Sequence, residues 1–251
     1  MPSAAVSTKK VLVASYPKSG NTWLGYMLAY YLGAKYIDLH IASHKTTQIK
    51  WILDLIDGNL PHSSEYSAVA KTHHLPKSVE NITAYDKIVL VCRDPRDVMV
   101  SYFYFRYHYL PVEFEKPFFF HIGKLSPLKW LLWKHLVWKV ATYWPVHTQS
   151  WMGLNPLVIR YEDLHGQPQA TLEFVLKYLG IVSPDRNLIN QVIDAFAFEK
   201  VSGGRKPGDE DTRHFYRKGI VGDHKNYFDK TDLQMFRIFS GEEMRKLKYL
   251  V

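Results

Sequence analysis

The chain has 251 residues, of which 47% are hydrophobic and 22% charged, so it can bury a substantial core and intrinsic disorder is excluded as its main state. The 32 lysines and arginines exceed the 24 aspartates and glutamates, and the formal net charge of +8 indicates an anionic partner. The single cysteine, Cys92, excludes an internal disulfide and any zinc or iron–sulfur site made of cysteines alone. A chain of this length predicts one domain, residues 1–251.

The sequence shows no targeting segment, because a short run of small residues leads through two lysines straight into an apolar run. The most apolar later stretch, Leu125 to Trp144, is interrupted by three lysines and a histidine. A membrane-spanning helix needs about 20 uninterrupted apolar residues. We therefore expect a buried or interfacial amphipathic helix there, no stable membrane insertion and a cytoplasmic location.

The elements alternate along the chain between short apolar strands and helices. Strands are predicted over 11–15, 67–72, 87–93 and 157–161, and helices over 22–32, from 96 onward, over 169–179 and over 187–196. The run from Ile88 to Val91 lacks polar alternation, which is typical of a parallel strand buried on both faces. The pattern predicts a single-domain α/β fold with a P-loop-like, doubly wound parallel β-sheet flanked by helices, with ligands at the carboxyl ends of the strands. The tail over 202–222 predicts a loop.

A candidate phosphate-binding loop, residues 15–22, lies between the first strand and the first helix. Consecutive backbone N–H groups and the positive helix end suit a phosphate at this place. Compared with the nucleoside-triphosphate loop G-x-x-x-x-G-K-[ST], Ser15 replaces the first glycine, Asn21 replaces the lysine, and the cation has moved to Lys18. With no aspartate placed to hold magnesium, the pattern indicates a phosphate site without a metal-bridged γ-phosphate. An ordinary strand–turn–helix is the alternative.

A second candidate anion site follows the strand that ends near residue 93. Arg93 at a strand end presents a fixed fork of donors for a phosphate, and Ser101, two turns into the next helix, adds a hydroxyl. The alternative is a surface arginine beside a helix that Asp94 caps. Two phosphate sites on consecutive crossovers fit a nucleotide with a phosphate at each end of its ribose.

These segments resemble those of the cytosolic-type sulfotransferases, which use 3′-phosphoadenosine 5′-phosphosulfate (PAPS) as donor. Residues 16–23 (YPKSGNTW) resemble the family's 5′-phosphosulfate loop, and residues 91–102 (VCRDPRDVMVSY) resemble its 3′-phosphate segment. Residues 217–226 (RKGIVGDHKN) resemble its late basic loop, in which His224 replaces the usual tryptophan. The resemblance covers about residues 11–228.

The resemblance implies a donor site at these motifs. Trp23 would stack on the purine, Tyr161 in the Y-E-D element would reach the base edge, and Phe198 matches the family's other stacking position. The donor-binding residues implied are Lys18, Ser19, Gly20, Asn21, Thr22, Trp23, Arg93, Ser101, Tyr161, Phe198, Arg217, Lys218 and Gly219.

A candidate general base lies in residues 71–73, which match the family's K-T-H element. Strand alternation puts Lys71 and His73 on one face and His74 on the other, which favours His73 as the base. The implied reaction is in-line transfer of a sulfuryl group from PAPS to a hydroxyl or amine, with PAP (adenosine 3′,5′-bisphosphate) as product. Lys18 would stabilise the leaving phosphate with help from Lys71. The catalytic set implied is His73, Lys18, Lys71 and Ser101.

No metal is expected. His40 and His44 are four residues apart, but nothing near them in sequence completes a ligand set, so a structural role is favoured.

The acceptor is expected to be a small molecule, and its identity stays open. The segment from Tyr102 to Phe120 holds ten aromatic residues that wall an acceptor pocket, hold a cation against their faces or pack against the tryptophan-rich helix. That helix carries Trp130, Trp133 and Trp138. Tyr104, and His147 in a W-x-x-H pattern, are the candidate acceptor contacts. The family's K-x-x-x-T-V-x-x-x-E dimer element is not evident, which leaves the oligomeric state open.

Two other functions compete with sulfuryl transfer. A P-loop small-molecule kinase would need magnesium and the missing lysine of the nucleoside-triphosphate loop. A noncatalytic basic module that binds nucleotide or nucleic acid would need its cations on one face or tail. Here the lysines and arginines cluster at nucleotide-sized motifs, so no nucleic-acid partner is expected.

Overall fold

The computed structural model of the protein describes residues 9–39, 56, 65–110 and 126–250. Within these residues, five parallel strands form one sheet in the order β2-β3-β1-β4-β5. The strands are β1 (Lys9–Ser15), β2 (Lys35–Asp38), β3 (Tyr66–Thr72), β4 (Lys87–Cys92) and β5 (Leu157–Arg160). The α/β fold with a parallel sheet is confirmed, although β2 was not predicted.

The predicted helices begin and end close to the expected positions, except that the one expected in 125–144 extends to residue 152. The helices are α1 (Asn21–Leu32), α2 (Pro95–Tyr104), α3 (Ser126–Met152), α4 (Tyr161–Gly166), α5 (Pro168–Tyr178), α6 (Arg186–Ala195), α7 (Phe198–Val201) and α8 (Lys230–Lys246). Three of them, α4, α7 and α8, were not predicted. A π-helical turn, Phe105–Tyr109, follows α2 directly. Over the described ranges, no helix is long and apolar enough to cross a membrane.

The chain forms two compact units. The sheet unit comprises Met1–Ser15, Gly20–Cys92 and Trp151–Phe196, and the helical unit comprises Tyr16–Ser19, Arg93–Ser150 and Ala197–Val251. In the sheet unit the central strand β1 pairs with β3 on one side and β4 on the other. Val11 to Ala14 of β1 are completely buried, as expected for a strand covered on both faces.

In the helical unit, local capping residues define where two helices begin. The carboxylate of Asp94 accepts a hydrogen bond from the backbone N–H of Arg96 at the start of α2, so the predicted cap is confirmed. Asp229 and Asp232 form a reciprocal capping box at the start of α8. The tail over 202–222 contains no helix or strand, as predicted.

The tryptophans of α3 separate into buried and exposed positions. Trp133 packs against Phe103, with ring centroids 5.2 Å apart, and donates its indole N–H to Asp232. Trp130 and Trp138 are exposed, so the packing of the aromatic segment against this helix, which was one of the alternatives, is seen at Trp133. Whether a tryptophan faces in or out follows from tertiary packing, which helical spacing alone does not specify. The second half of that segment, residues 111–120, lies outside the described residues, as do His40 and His44.

Candidate active site

In the sheet unit, His73 lies directly beyond β3 and against the end of β1. Its Nδ1 atom is 3.0 Å from the backbone oxygen of Ser15 and 3.4 Å from the Ser15 hydroxyl. A carbonyl oxygen only accepts hydrogen bonds, so Nδ1 carries the proton in this contact. Nε2 is then the nitrogen with the lone pair, the form that a general base needs.

The neighbouring His74 is held differently. Its backbone N–H donates to the Thr72 hydroxyl, and its backbone oxygen accepts a hydrogen bond from the indole of Trp151 at 3.1 Å. These contacts fix the chain after β3 through its backbone.

Lys71 is buried near the end of β3 and forms an ion pair with Asp38. The two residues are register partners on β3 and β2, and the ammonium lies 2.7 Å from the carboxylate. Both side chains are almost fully buried, which makes the contact costly to break by removing one partner. Asp38 thus fixes the ammonium of Lys71 at this sheet edge.

The start of α1 carries several of the residues in the sheet unit that were predicted to bind PAPS. Asn21 donates its side-chain amide to the backbone oxygen of Thr72 at 3.1 Å and thereby ties the helix start to the end of β3. The rings of Trp23 and Tyr161 lie 6.1 Å apart, and the Trp23 indole donates to the backbone oxygen of Phe196. Thr22 is buried in the first turn.

Gly20 precedes α1 in a conformation that only glycine adopts at low cost. Its φ is +98°, in the left-handed region, and a Cβ there would lie 2.6 Å from the ring of Tyr161. The ring of Tyr161 therefore packs directly on the backbone of the loop. Both predicted residues are brought together by this close approach.

In the helical unit, Lys18 has an unusual backbone and an aromatic enclosure. Its φ is +66°, which is uncommon for a residue with a side chain and is found at ligand-binding loops. The ammonium lies 4.2 Å from the ring centre of Phe105 and 4.0 Å from that of Phe215. These two cation–π contacts hold the charge of Lys18 in one position.

Arg93 links the phosphate loop to the late basic loop within the helical unit. One guanidinium nitrogen donates to the backbone oxygen of Lys18 at 3.3 Å, and the other donates to that of Ile220 at 3.2 Å. The predicted cation after β4 is therefore oriented by two backbone carbonyls from different motifs. Ser101 lies on α2, two turns after Arg93.

The late basic loop is organised by two aspartates, and the first of them is Asp223. Its carboxylate pairs with Arg217 and accepts hydrogen bonds from Lys218 at 2.8 Å and Asn226 at 2.9 Å. Burial raises the pKa of Asp223, and the hydrogen bonds from Lys218 and Arg217 outweigh this effect, so the pKa stays below its ordinary value. Arg217 also pairs with Glu210.

The second aspartate, Asp97 on α2, binds the backbone of the same loop. It accepts hydrogen bonds from the N–H groups of Gly222 and His224 and from the ring nitrogen Nδ1 of His224 at 2.7 Å. Burial alone would raise the pKa of Asp97, but the bonds from His224 and the charge of Arg93 lower it to about 2. The histidine that replaces the family's tryptophan thus joins α2 to the loop.

The other predicted residues Phe198, Tyr104 and His147 pack against the two loops of the helical unit. The Phe198 ring packs on the backbone of Gly219, where a Cβ would overlap it. Tyr104 packs under the guanidinium of Arg217, with 4.8 Å between the guanidinium carbon and the ring centre. His147 is buried and contacts the Tyr16 ring edge to face at 5.6 Å. Tyr104 and His147 thus contact different loops.

The hydroxyl of Ser19 shows whether the residues of this loop are suited to bind an anion. It is completely buried and has no hydrogen-bond partner among the residues that the structure describes. Buried hydroxyls are satisfied in the large majority of native structures, so this group calls for an additional acceptor. A phosphate oxygen at the loop would provide one.

Several functional contacts were missed at the level of sequence. They are Asp38, Asp97, Phe215 and Asp223, each of which holds a predicted cation or the loop that carries it. Asp97 and Asp223 lie inside quoted motifs, so their place beside the arginines was a usable signal. Phe105 belongs to the aromatic segment for which a cation contact was one expectation, whereas Phe215 carries no local signal, since it lies 197 residues from Lys18.

The parallel sheet, the glycine-containing loop after β1 and the arginine that follows β4 define an α/β protein with a P-loop-like fold. The model of the sulfotransferase domain matches residues 8–248. The chain therefore belongs to the sulfotransferase family and is an enzyme that transfers sulfo groups.

Similar proteins agree with this family. The flavonol 3-sulfotransferase of Flaveria bidentis is 26% identical, covering 87% of this chain and 76% of its own length. Cytosolic sulfotransferase 13 of Arabidopsis thaliana is 26% identical, with 84% and 69% covered. The crystal structure of a mouse sulfotransferase complexed with PAP superposes with a TM-score of 0.65 at 22% identity, covering 95% and 85%, and shows the same fold.

Proposed function

We propose that this enzyme transfers the sulfuryl group of PAPS to a hydroxyl or amine of a small-molecule acceptor, with His73 as general base. The observation that carries the proposal is the contact between His73 Nδ1 and the Ser15 carbonyl, because it leaves Nε2 as the basic nitrogen. The family membership supports sulfuryl transfer over the kinase and over the noncatalytic basic module.

The donor is proposed from the motifs and from the fit of an anion at the loop. The buried Ser19 hydroxyl and the neighbouring loop amides would hold the 5′-phosphosulfate, and the mouse relative was crystallised with the desulfated product PAP. Arg93 and Ser101, with Arg217, Lys218 and the Gly219 N–H, would hold the 3′-phosphate. Trp23, Tyr161 and Phe198 would contact the adenine, while Gly20, Asn21 and Thr22 shape the loop and the helix start.

When bound, PAPS supplies an activated sulfuryl group with adenosine bisphosphate as leaving group. His73 accepts the acceptor's proton at Nε2 while the Ser15 carbonyl stabilises the imidazolium through Nδ1–H. Lys18, held between Phe105 and Phe215, places a positive charge where the leaving phosphate becomes more negative. The carboxylate of Asp38 keeps Lys71 in place for the assisting role.

The proposal also covers the acceptor, the cellular location and the domain organisation of the enzyme. The Flaveria relative is named for a flavonol, and we propose a small-molecule acceptor of comparable size, contacted by Tyr104 and His147. The Arabidopsis relative is named as cytosolic, which supports a cytoplasmic location. We also propose that residues 1–251 act as one sulfotransferase domain without a metal, since the family match runs through both compact units.

Calorimetry with two nucleotides tests the donor. Arg93→Ala should weaken PAP binding by roughly 10- to 100-fold, the range for a charge-assisted hydrogen bond, and should change AMP binding much less. Arg186→Ala removes an exposed arginine of α6 and should leave both affinities unchanged. Equal losses for PAP and AMP in Arg93→Ala would contradict the assignment. A screen of phenols, steroid alcohols and amines with ³⁵S-labelled PAPS then identifies the acceptor class.

A further inference from the structure

The outward side of α3 presents a group of large apolar side chains to solvent. We define the α3 stripe as Trp130, Leu131, Trp138, Tyr143 and Val146, which are between 44% and 61% exposed. Leu131, Trp138 and Val146 follow one another at seven and eight residues, so they lie along one face of the helix. Trp130 and Tyr143 flank this face on either side, and large exposed apolar side chains grouped on a helix indicate a binding surface.

The charged side chains that α3 itself contributes are all cationic. The 27-residue helix contains three lysines and two histidines and no acidic residue. Lys134 is paired with Asp229, which caps α8, and with Asp232 of α8, whereas Lys129 and His135 are exposed beside the stripe and Lys139 is half-buried there. The α3 stripe is thus bordered by cations on a helix that offers no carboxylate.

The net charge of the chain is concentrated in the same unit. The helical unit holds 21 lysines and arginines against 13 acidic residues, whereas the sheet unit holds 11 of each. The formal charge of +8 therefore belongs entirely to the unit that carries the α3 stripe. An anionic surface is the complementary partner.

We propose that the α3 stripe docks the protein on an anionic lipid surface, as a peripheral contact in the plane of the membrane. Tryptophan and tyrosine have an apolar body and a polar tip and favour the headgroup region, and lysines reach past the apolar boundary to anionic headgroups. A helix with indole, phenol and aliphatic groups bordered by lysines has the composition of an interfacial helix. No insertion across the bilayer is involved.

A second copy of the chain fits the α3 stripe less well. A twofold contact uses the same surface of both copies, so it would bring the lysine-bearing surface of one α3 helix against that of the other. Neither helix carries an acidic side chain that could pair with these lysines. The surface contains none of the residues proposed for the donor, so the proposal does not depend on the donor assignment.

Sedimentation with vesicles tests the docking. The full-length protein should sediment with vesicles of phosphatidylcholine and phosphatidylserine (7:3) and stay in solution with pure phosphatidylcholine. Trp130→Ser combined with Trp138→Ser should weaken binding at least about tenfold, since it removes two interfacial anchors. The control Val182→Ser removes an 88% exposed apolar side chain from the sheet unit and should bind like the parent. Equal binding by the double variant and the parent would overturn the proposal.

Two matched double variants test the contribution of the α3 lysines to vesicle binding. Lys129→Gln with Lys139→Gln should weaken binding to the anionic vesicles, whereas Lys10→Gln with Lys35→Gln removes the same charge from the sheet unit and should not. Equal losses in the two pairs would mean attraction by net charge alone and would overturn the role of α3. Unchanged affinity for PAP shows that each variant is folded, whatever the fate of the docking.

Brominated lipids and gel filtration distinguish a lipid surface from a second copy of the chain as the partner of the α3 stripe. Bromines on the upper acyl chain should quench the fluorescence of the parent and lose this effect in the double tryptophan variant. Self-association that the same variant abolishes, without vesicle binding by the parent, would overturn the lipid assignment in favour of a second copy.

Discussion

The ring nitrogen Nδ1 of His73 lies 3.0 Å from the backbone oxygen of Ser15. Because that oxygen can only accept, the contact sets the tautomer of the imidazole and turns a strand-end histidine into a base with a defined direction. The end of β1 therefore does two things, since it begins the phosphate loop and it orients the base.

Replacing His73 should remove turnover and leave the donor bound. His73→Ala is expected to lower kcat by roughly 10²- to 10⁴-fold, the usual contribution of a general base. His74→Ala is the control, because the contacts of that residue with Thr72 and Trp151 are made by its backbone and survive the change. Single-turnover rates with labelled PAPS, together with PAP affinity from calorimetry, measure the two effects. Comparable loss of rate in both variants would rule out the assignment.

The aromatic enclosure of Lys18 should be measurable in the chemical step. Phe215→Leu removes one cation–π contact of about 0.5–2 kcal/mol, so kcat/KM should fall by roughly 2- to 30-fold. Phe215→Tyr keeps an aromatic face and should retain most of the activity. Phe174→Leu changes an exposed phenylalanine of α5 and serves as the control. The idea fails if the leucine and tyrosine variants are equally active.

Gly20→Ala tests the close approach of Tyr161 to the loop. The alanine would suffer both the positive φ and the overlap with the ring, whereas Gly180→Ala has a φ of +94° and nothing within 4 Å of its Cβ. We expect Gly180→Ala to cost about 1–2 kcal/mol of unfolding free energy and Gly20→Ala at least about 1 kcal/mol more. Urea denaturation measures both, and calorimetry should show weaker PAP binding only for Gly20→Ala. Equal destabilisation would argue that Tyr161 yields without cost.

Asp97 should make stability depend on acid pH in a defined window. Its pKa is lowered from 3.8 to about 2 in the folded protein, so its stabilisation is complete above pH 3.8 and is lost as the pH falls toward 2. Asp97→Asn should therefore cost on the order of 2 kcal/mol near neutral pH. The difference from the parent should shrink between pH 4 and pH 2.

Denaturation curves of both proteins across this range give the comparison. Asp163→Asn, at an exposed carboxylate of α4, should show no such pH-dependent difference. A difference between Asp97→Asn and the parent that stays constant down to pH 2 would contradict the role of the hydrogen bonds from His224.

Local sequence information was enough for the elements that carry the site. Continuous apolar runs predicted β1 and β4 because parallel strands are buried on both faces, and Gly33 closes α1 in the left-handed conformation as predicted. Short β2 escaped prediction because four residues hold too little periodicity. The order of the strands was also beyond sequence patterns, since it depends on pairing between distant segments.

The amino-acid sequence by itself determined which residue types stand at the strand ends and loops, because chain-local geometry places the phosphate loop, Arg93 and the K-T-H element there. Only the tertiary structure decided what holds them: Asp38 on Lys71, two phenylalanines around Lys18, and Asp97 on the loop with His224. It also decided that Trp130 and Trp138 face solvent while Trp133 packs against Phe103. The physical reason is that these contacts join residues far apart in the chain, and packing sets them without leaving a mark on local patterns.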